Sequence, residues 1–422
     1  MDYINLKYKP KKEDLVCLFR IEPVKGISMK GAASRVAGES SVGTWAKLYN
    51  LPKRIKRIKP KVFEIKKNHV KIAYPVDLFE KGNMSQIMSG IGGNIFGMKA
   101  LRNLRLEDVK WPLEIMKSFK GPQFGVKGLR KLLKVKKRPL TATVIKPKVG
   151  LDTKEYCKSG RLIWESGMDF LKNDENMTSQ KFINFYKTTK KVLKIRDSIE
   201  KETGEKKMYL ANVSSETKEM LKRAKFVKDN GGEIVMVDIL TVGFSGLQTL
   251  RNECKDLGLA IYGHRAFHST FTRNVKHGIS MMVVADLARL IGVDAVHIGG
   301  MGKLISPKEE LYLLKEELEK KDVKKGKNVL GENWGGIKPT FPVTSGGLHA
   351  GIIPRLIKLL GTDILMQVGG GVMGHKDGIV SGGRSVRQAI DATLQGISLN
   401  EYKKEHPELR SALELWGNKT PI

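Results

Sequence analysis

The sequence predicts an α/β protein in which an N-terminal α+β, ferredoxin-like domain precedes a (β/α)8 TIM barrel. From about Thr141 onward, short β-branched or apolar runs alternate with longer amphipathic segments, as repeated βα units of a parallel sheet do. The strand candidates are 141–146, 169–172, 208–213, 233–239, 259–263, 295–298, 341–344 and 365–368. Helical patterns follow them at 154–166, 179–202, 215–229, 246–257, 278–291, 307–320, 349–360 and 385–395. Eight strands, each followed by a helix, close into a barrel with no free edge.

The residues before that follow another rhythm. Leu15–Glu22 alternates as a strand does, 30–37 and 83–91 carry helical spacing, and 62–74 reads as a hairpin. The expected organisation is an α+β domain over 1–135, the barrel over 136–400 and a short charged helical tail over 401–422. The basic, glycine-containing stretch Gly121–Arg138 breaks the periodicity on both sides and is the expected joint.

At 422 residues the chain exceeds what one core usually supports, which agrees with two domains. With 41% hydrophobic residues and no apolar run of membrane-spanning length, it reads as a soluble protein. The opening MDYINLKYKP lacks the apolar stretch of a secretory signal, so a cytoplasmic location is expected, with no membrane partner. Cys17, Cys157 and Cys254 are far apart and form no CxxC pair, which argues against a disulfide framework or a zinc site. A formal charge of +32 admits nucleic acid, an anionic surface or a phosphorylated substrate. The basic runs at 53–57 and 134–138 lack aromatic interleaving, and 315–321 mixes signs, so solvated lysine-rich faces are the favoured reading over nucleic acid.

Barrel enzymes place their working residues where strands end. Here strand one runs into Lys146-Pro147-Lys148, strand two into Lys172-Asn173-Asp174-Glu175 and strand five into His264-Arg265. Strand six carries His297 and is followed by Lys303; strand seven ends in Ser345-Gly346-Gly347, and strand eight in Gly369-Gly370-Gly371. Singly, each has a plainer explanation as a turn or a helix cap. Their convergence on one rim does not. The two glycine-rich turns let backbone N–H groups approach an anion, while Arg265 and His297 offer cationic donors for a second phosphate, so the pocket suits a sugar bisphosphate. Asp174 and Glu175 are hard oxygen donors suited to Mg²⁺. Lys172 beside them makes no sense as a ligand unless its charge is removed or inverted. The GxGxxG match at 369–374 follows the last barrel strand and is expected to lead into another loop, so it does not mark a dinucleotide site; nor does Gly302-Lys303, with Leu304 following, complete a P-loop.

These residues resemble the ribulose-bisphosphate carboxylase (RuBisCO) large-subunit family from Gly38 to about Gln395. The matching stretches are TVIKPK at 143–148, GMDFLKNDEN at 167–176, GHRAFH at 263–268 and SGGLH at 345–349, with ESSVGTW at 39–45 and GNIFG at 93–97 in the first domain. The resemblance implies that Lys172 reacts with CO₂, and that the resulting carbamate joins Asp174 and Glu175 as a Mg²⁺ ligand and serves as the base at C3. It assigns proton movement at C2 to Lys146, with Lys148 and His264 assisting, and places Lys303 on a mobile loop over the incoming CO₂. Arg265, His297 and Ser345 hold one phosphate; Thr44, Trp45, Gly347, Gly369 and Gly370 hold the other, with Gly346 also in the substrate site. Glu39, Thr44, Trp45 and Asn94 act on the partner subunit's barrel, making a homodimer the smallest active unit.

The implied reaction joins CO₂ to ribulose 1,5-bisphosphate to give two 3-phosphoglycerates, with O₂ competing. The short N-terminus and brief tail look more like the archaeal type, form III, which works without small subunits in AMP and nucleoside salvage. The loop 297–303 is one residue shorter than the family's pattern and lacks its Thr-Val-Val, which puts the placement of Lys303 in question. The alternative is a RuBisCO-like enolase or isomerase acting on another phosphorylated sugar. Retention of Lys146, Lys172, His264 and Lys303 argues against it.

Overall fold

The computed structural model describes residues 3–44, 46, 49–301 and 308–420. Two compact units emerge, one of Met1–Gly121, Phe267–Ile291 and Lys320–Lys338, the other of Pro122–Ala266, Gly292–Glu319 and Pro339–Ile422.

In the first unit, strands Leu15–Pro23, Lys61–Lys66, His69–Tyr74 and Leu101–Lys110 interleave with helices Met29–Glu39 and Met84–Ile91 in the order βαββαβ. The strand order is fourth, first, third, second, and these four pair antiparallel, which is the ferredoxin-like arrangement. Gly278–Ile279 extends the sheet in parallel beside the fourth strand. That fourth strand, absent from the expected elements, carries its inward residues out of step. Leu104 and Leu106 alternate, but the register then slips opposite Leu18 and Phe19, so the next buried apolar residue is Val109. A bulge of this kind removes the period-two signal.

In the second unit, eight parallel strands close in sequence order. They are Leu140–Val144, Phe170–Lys172, Met208–Asn212, Ile234–Asp238, Ala260–His264, Ala295–Gly299, Phe341–Thr344 and Leu365–Gln367, all at the expected places. Alternate residues fill the interior: Leu140 and Ala142, Phe170, Met208 and Leu210, Ile234 and Met236, Ala260 and Tyr262, Ala295, Phe341 and Val343, and Leu365 form one buried cluster.

Three details differ from expectation. The stretch 121–138, expected as the joint, holds a helix of its own, Gly125–Leu133, whose Val126, Leu129 and Leu133 belong to the same cluster and so plug one mouth of the barrel. Its nine residues are too few for periodicity to stand out beside seven basic ones. The glycine run after strand eight does not lead into another loop: Gly370–Met373 is a one-turn helix. The helix foreseen from Ser179 begins at Phe185, where Asn184 caps it by accepting from the Lys187 amide.

The plug is capped from far away in sequence. Asp294, fully buried, accepts from the amides of Phe124 and Gly125 through Oδ1 at 2.6 and 2.8 Å, and from the Ile261 amide through Oδ2 at 2.9 Å. Asp294→Ala leaves three amides, two of them buried, without this acceptor and is expected to cost about 3 kcal/mol. Urea unfolding should show a lower midpoint at unchanged slope; a loss below about 1 kcal/mol would contradict the capping role.

Candidate active site

The strand alternation that fills the barrel also builds its rim. Lys172 lies two residues beyond Phe170, His264 two beyond Tyr262, His297 two beyond Ala295, and Ser345 two beyond Val343, so each inherits the inward side of its strand. Lys146 follows Ala142 by four. All belong to the second unit, together with Lys148, Asp174, Glu175, Arg265 and the glycines 346, 347, 369 and 370.

Lys172 is fully buried. Its ammonium donates to the Asn173 carbonyl at 2.7 Å and lies 3.6 Å from Glu175 Oε2. Burial pulls its pKa below the ordinary lysine value of 10.5, against the opposing pull of Glu175 and Asp174. Glu175 responds in reverse: burial would raise its pKa, but His264 and Lys172 outweigh that and hold it at about 2. Lys146 Nζ donates to Asp174 Oδ2 at 3.1 Å, and Lys148 Nζ sits 3.5 Å from Glu175 Oε1. Asp174 Oδ1 accepts from the Asn176 amide and side chain at 3.2 and 3.0 Å. His264 spans two carboxylates, with Nε2 3.5 Å from Glu175 and Nδ1 3.1 Å from Asp238. Burial, and then the Lys172 charge, lower its pKa, favouring the neutral ring.

The donor set explains the odd lysine. Among the described residues no group of three or more His, Cys, Asp or Glu side chains could hold a metal. Asp174 and Glu175 supply two hard carboxylates, and the adjoining third position is Lys172. A Mg²⁺ ion fits this set when Lys172 carries an oxygen-donor group in place of its ammonium.

The other rim residues cluster beside it. His297 Nδ1 is 3.0 Å from Ser345 Oγ, and the rings of His264 and His297 meet edge to face at 4.6 Å between centroids. A Cβ on Gly300 would fall 1.9 Å from the Ser345 carbonyl oxygen, so the chain after strand six passes against strand seven only as glycine. Gly346 and Gly347 both take positive φ, 92° and 71°. Gly369 packs on strand one, where an added Cβ would meet Val144 Cγ1 at 3.0 Å and Lys146 Cε at 3.5 Å. Arg265 is buried, which lowers its pKa to about 10.

Glu39, Thr44 and Asn94 belong to the first unit, where each is exposed. Trp45 and Lys303 lie outside the described residues, as does Gly302 just before the latter. Sequence reasoning passed over strands three and four, which end on Asn212 and Asp238. Asp238 bonds His264 and lies 3.3 Å from Asn212 Nδ2, while the Asn212 amide donates to Asn173 Oδ1 at 2.8 Å. Their signal was the same two-residue step, from Leu210 to Asn212 and from Met236 to Asp238. Tyr262 and Gln367, deeper in the barrel, were likewise missed.

The family model for the ribulose bisphosphate carboxylase large chain, catalytic domain, matches residues 125–416, and that for the N-terminal domain of the same chain matches 2–115. The ribulose bisphosphate carboxylase of Pyrococcus abyssi is 47% identical over 426 aligned residues, covering 100% of this chain and 97% of that one. Among solved structures, the dimeric archaeal Rubisco of Hyperthermus butylicus aligns at a TM-score of 0.94 with 46% identity, covering 99% of both chains. The octameric Rubisco of Pyrococcus horikoshii aligns at 0.92 with 46% identity, covering 99% of this chain and 96% of that one. With both family models matched and likeness running the length of the chain, this protein belongs to the ribulose bisphosphate carboxylase large-chain family.

Proposed function

We propose that the protein is a Mg²⁺-dependent ribulose-1,5-bisphosphate carboxylase/oxygenase, converting that substrate, CO₂ and water to two 3-phosphoglycerates, with O₂ as competing reactant. The observation that carries the reading is Lys172, wholly buried against Glu175 and Asp174 with its pKa drawn down by burial. That shift brings the neutral amine, the form that attacks CO₂, within easier reach than in a free lysine. The carbamate so formed is an anion, which resolves the otherwise misplaced cation between two metal-binding carboxylates.

Bound Mg²⁺ would act as a Lewis acid that acidifies the substrate's C3 proton. Lys172, as its carbamate, takes that proton. Lys146, held on Asp174 before the metal enters, serves C2, while Lys148 and His264 assist. Asp238 fixes the His264 ring through Nδ1, leaving Nε2 toward Glu175. Arg265, His297 and Ser345 take one phosphate; Gly346, Gly347, Gly369 and Gly370 approach the other through their backbones, with Thr44 and Trp45 of a second copy. Lys303 covers the incoming CO₂. The assembly is a homodimer or a set of dimers without small subunits, working in salvage of AMP and nucleosides. Its likeness to dimeric and octameric archaeal enzymes supports the assembly.

Lys172→Ala should lower carboxylation more than about a thousandfold with the fold retained, measured as labelled CO₂ fixed onto ribulose 1,5-bisphosphate after incubation with bicarbonate and Mg²⁺. Consumption of the substrate by the native protein without carbon fixation would favour an isomerase instead. Because only the neutral amine reacts, activator CO₂ trapped per subunit should rise with pH and level off below the ordinary lysine range. A plateau only above pH 10.5 would contradict the burial argument.

If the first domain acts on its partner's barrel, two inactive variants should restore each other. Co-expressed Glu39→Gln and Lys172→Ala chains would form mixed dimers with one intact site, recovering about a quarter of native activity. No recovery, with mixed dimers verified, would place the whole site within one chain.

A further inference from the structure

A continuous polar chain runs through the barrel interior to the candidate phosphate site. Tyr262 Oη donates to Gln367 Oε1 at 2.5 Å and lies 2.6 Å from His297 Nε2, and His297 Nδ1 lies 3.0 Å from Ser345 Oγ. Tyr262 is fully buried, His297 and Gln367 nearly so. Burial first, and then the negative Glu175, hold the Tyr262 phenol well above its usual pKa, so it keeps its proton.

With the Gln367 amide oxygen facing Tyr262 and the His297 ring neutral, hydrogen counting gives the direction of every bond. A phenol has one hydrogen, and Gln367 Oε1 takes it. The hydrogen between Tyr262 and His297 must therefore sit on Nε2. A neutral imidazole protonated there has a bare Nδ1, which accepts from the Ser345 hydroxyl. Ser345 is left with lone pairs to show a ligand, which suits a donor and repels an anion. To give an anion its hydrogen, Ser345 must instead accept from Nδ1–H of His297. For a ring that stays neutral, that is the opposite polarity, with Tyr262 donating to Nε2 and the Gln367 amide turned to present its NH₂.

We propose that Gln367, acting through Tyr262, is a positioning residue that sets the tautomer of His297 and so decides whether Ser345 offers an anion a hydrogen or a lone pair. The inference rests on the reading of Ser345 and His297 as a phosphate site. Reversal conserves protons and charge: one leaves Nε2, one arrives at Nδ1, and Tyr262 and Ser345 each keep theirs. Gln367 suits this role because, of the four linked side chains, only its amide carries a fixed acceptor and a fixed donor that exchange by a half-turn. The ligand-free polarity holds the site in its less receptive form, and the affinity for an anion is reduced by the fraction of chains in the other one.

The test uses the full chain labelled with ¹⁵N-histidine, with His297→Asn to assign the ring. Without ligand, the native ring should show a protonated Nε2 and a bare Nδ1, and saturating inorganic phosphate should move the proton to Nδ1. Tyr262→Phe and Gln367→Leu should each abolish the Nε2–H preference. Both should bind inorganic phosphate about three- to tenfold more tightly, because the competent tautomer is no longer the minority. Gln367→Glu, which restores an acceptor, should restore Nε2–H. An unchanged Nε2–H ring in both removal variants, or weaker phosphate binding in both, would overturn the proposal in favour of simple structural support. If phosphate leaves the native His297 resonances unmoved, the phosphate reading of the site fails, whereas the ligand-free tautomers still decide the role of Gln367.

Discussion

The two-residue alternation of the barrel strands is the constraint on which the rest depends. Inside a closed eight-stranded barrel each strand offers alternate residues to one enclosed space, and the lower positions are taken by Leu140, Phe170, Met208, Ile234, Ala260, Phe341 and their neighbours. Counting on by twos from that apolar cluster reaches Lys172, Asn212, Asp238, His264, His297, Ser345 and Gln367 in turn. A one-residue slip in any strand would send its functional side chain out to the surrounding helices and bring a core residue to the rim. Packing below and chemistry above are thus one register, specified once.

That register concentrates charge where water is scarce, and the arrangement survives because the charges are paired. Lys146 on Asp174, Lys148 and Lys172 near Glu175, and Asp238 on His264 leave each buried carboxylate with a cationic or hydrogen-bonding neighbour. Pairing also holds the groups in place before any metal or substrate arrives. The large positive charge of the chain is spent differently. The helix Lys53–Ile58 buries none of its residues, in keeping with a solvated basic face.

What could be read from the sequence follows from the same physics. The barrel strands were legible because both faces are buried, giving short β-branched runs between glycine and polar turns. The site was legible where a strand ended on an unusual group, such as Lys172 or His264, and it was missed where the ending was ordinary. Asn212 and Asp238 look like turn residues, and only counting inward positions from Leu210 and Met236 marks them as rim. Leu101–Lys110 hid behind its bulge, and Gly125–Leu133 hid among lysines although its apolar face closes the barrel. Counting marks Gln367 and Tyr262 as inward but not their role, because their meaning lies in what they touch across three strands.

The polar run through Tyr262 and Gln367 depends on the closed mouth. Val126, Leu129 and Leu133 fill the end below Tyr262, and Asp294 binds that plug to strand five through the Ile261 amide, one residue before Tyr262. Arg138 and Thr141 hold Asp169 at the same end, with four hydrogen bonds of 2.6 to 2.9 Å on one carboxylate. Water admitted from this side would give Tyr262 and Gln367 other partners and dissolve the fixed direction of their bonds. The stability built into one end of the barrel is therefore what allows a tautomer to carry information at the other.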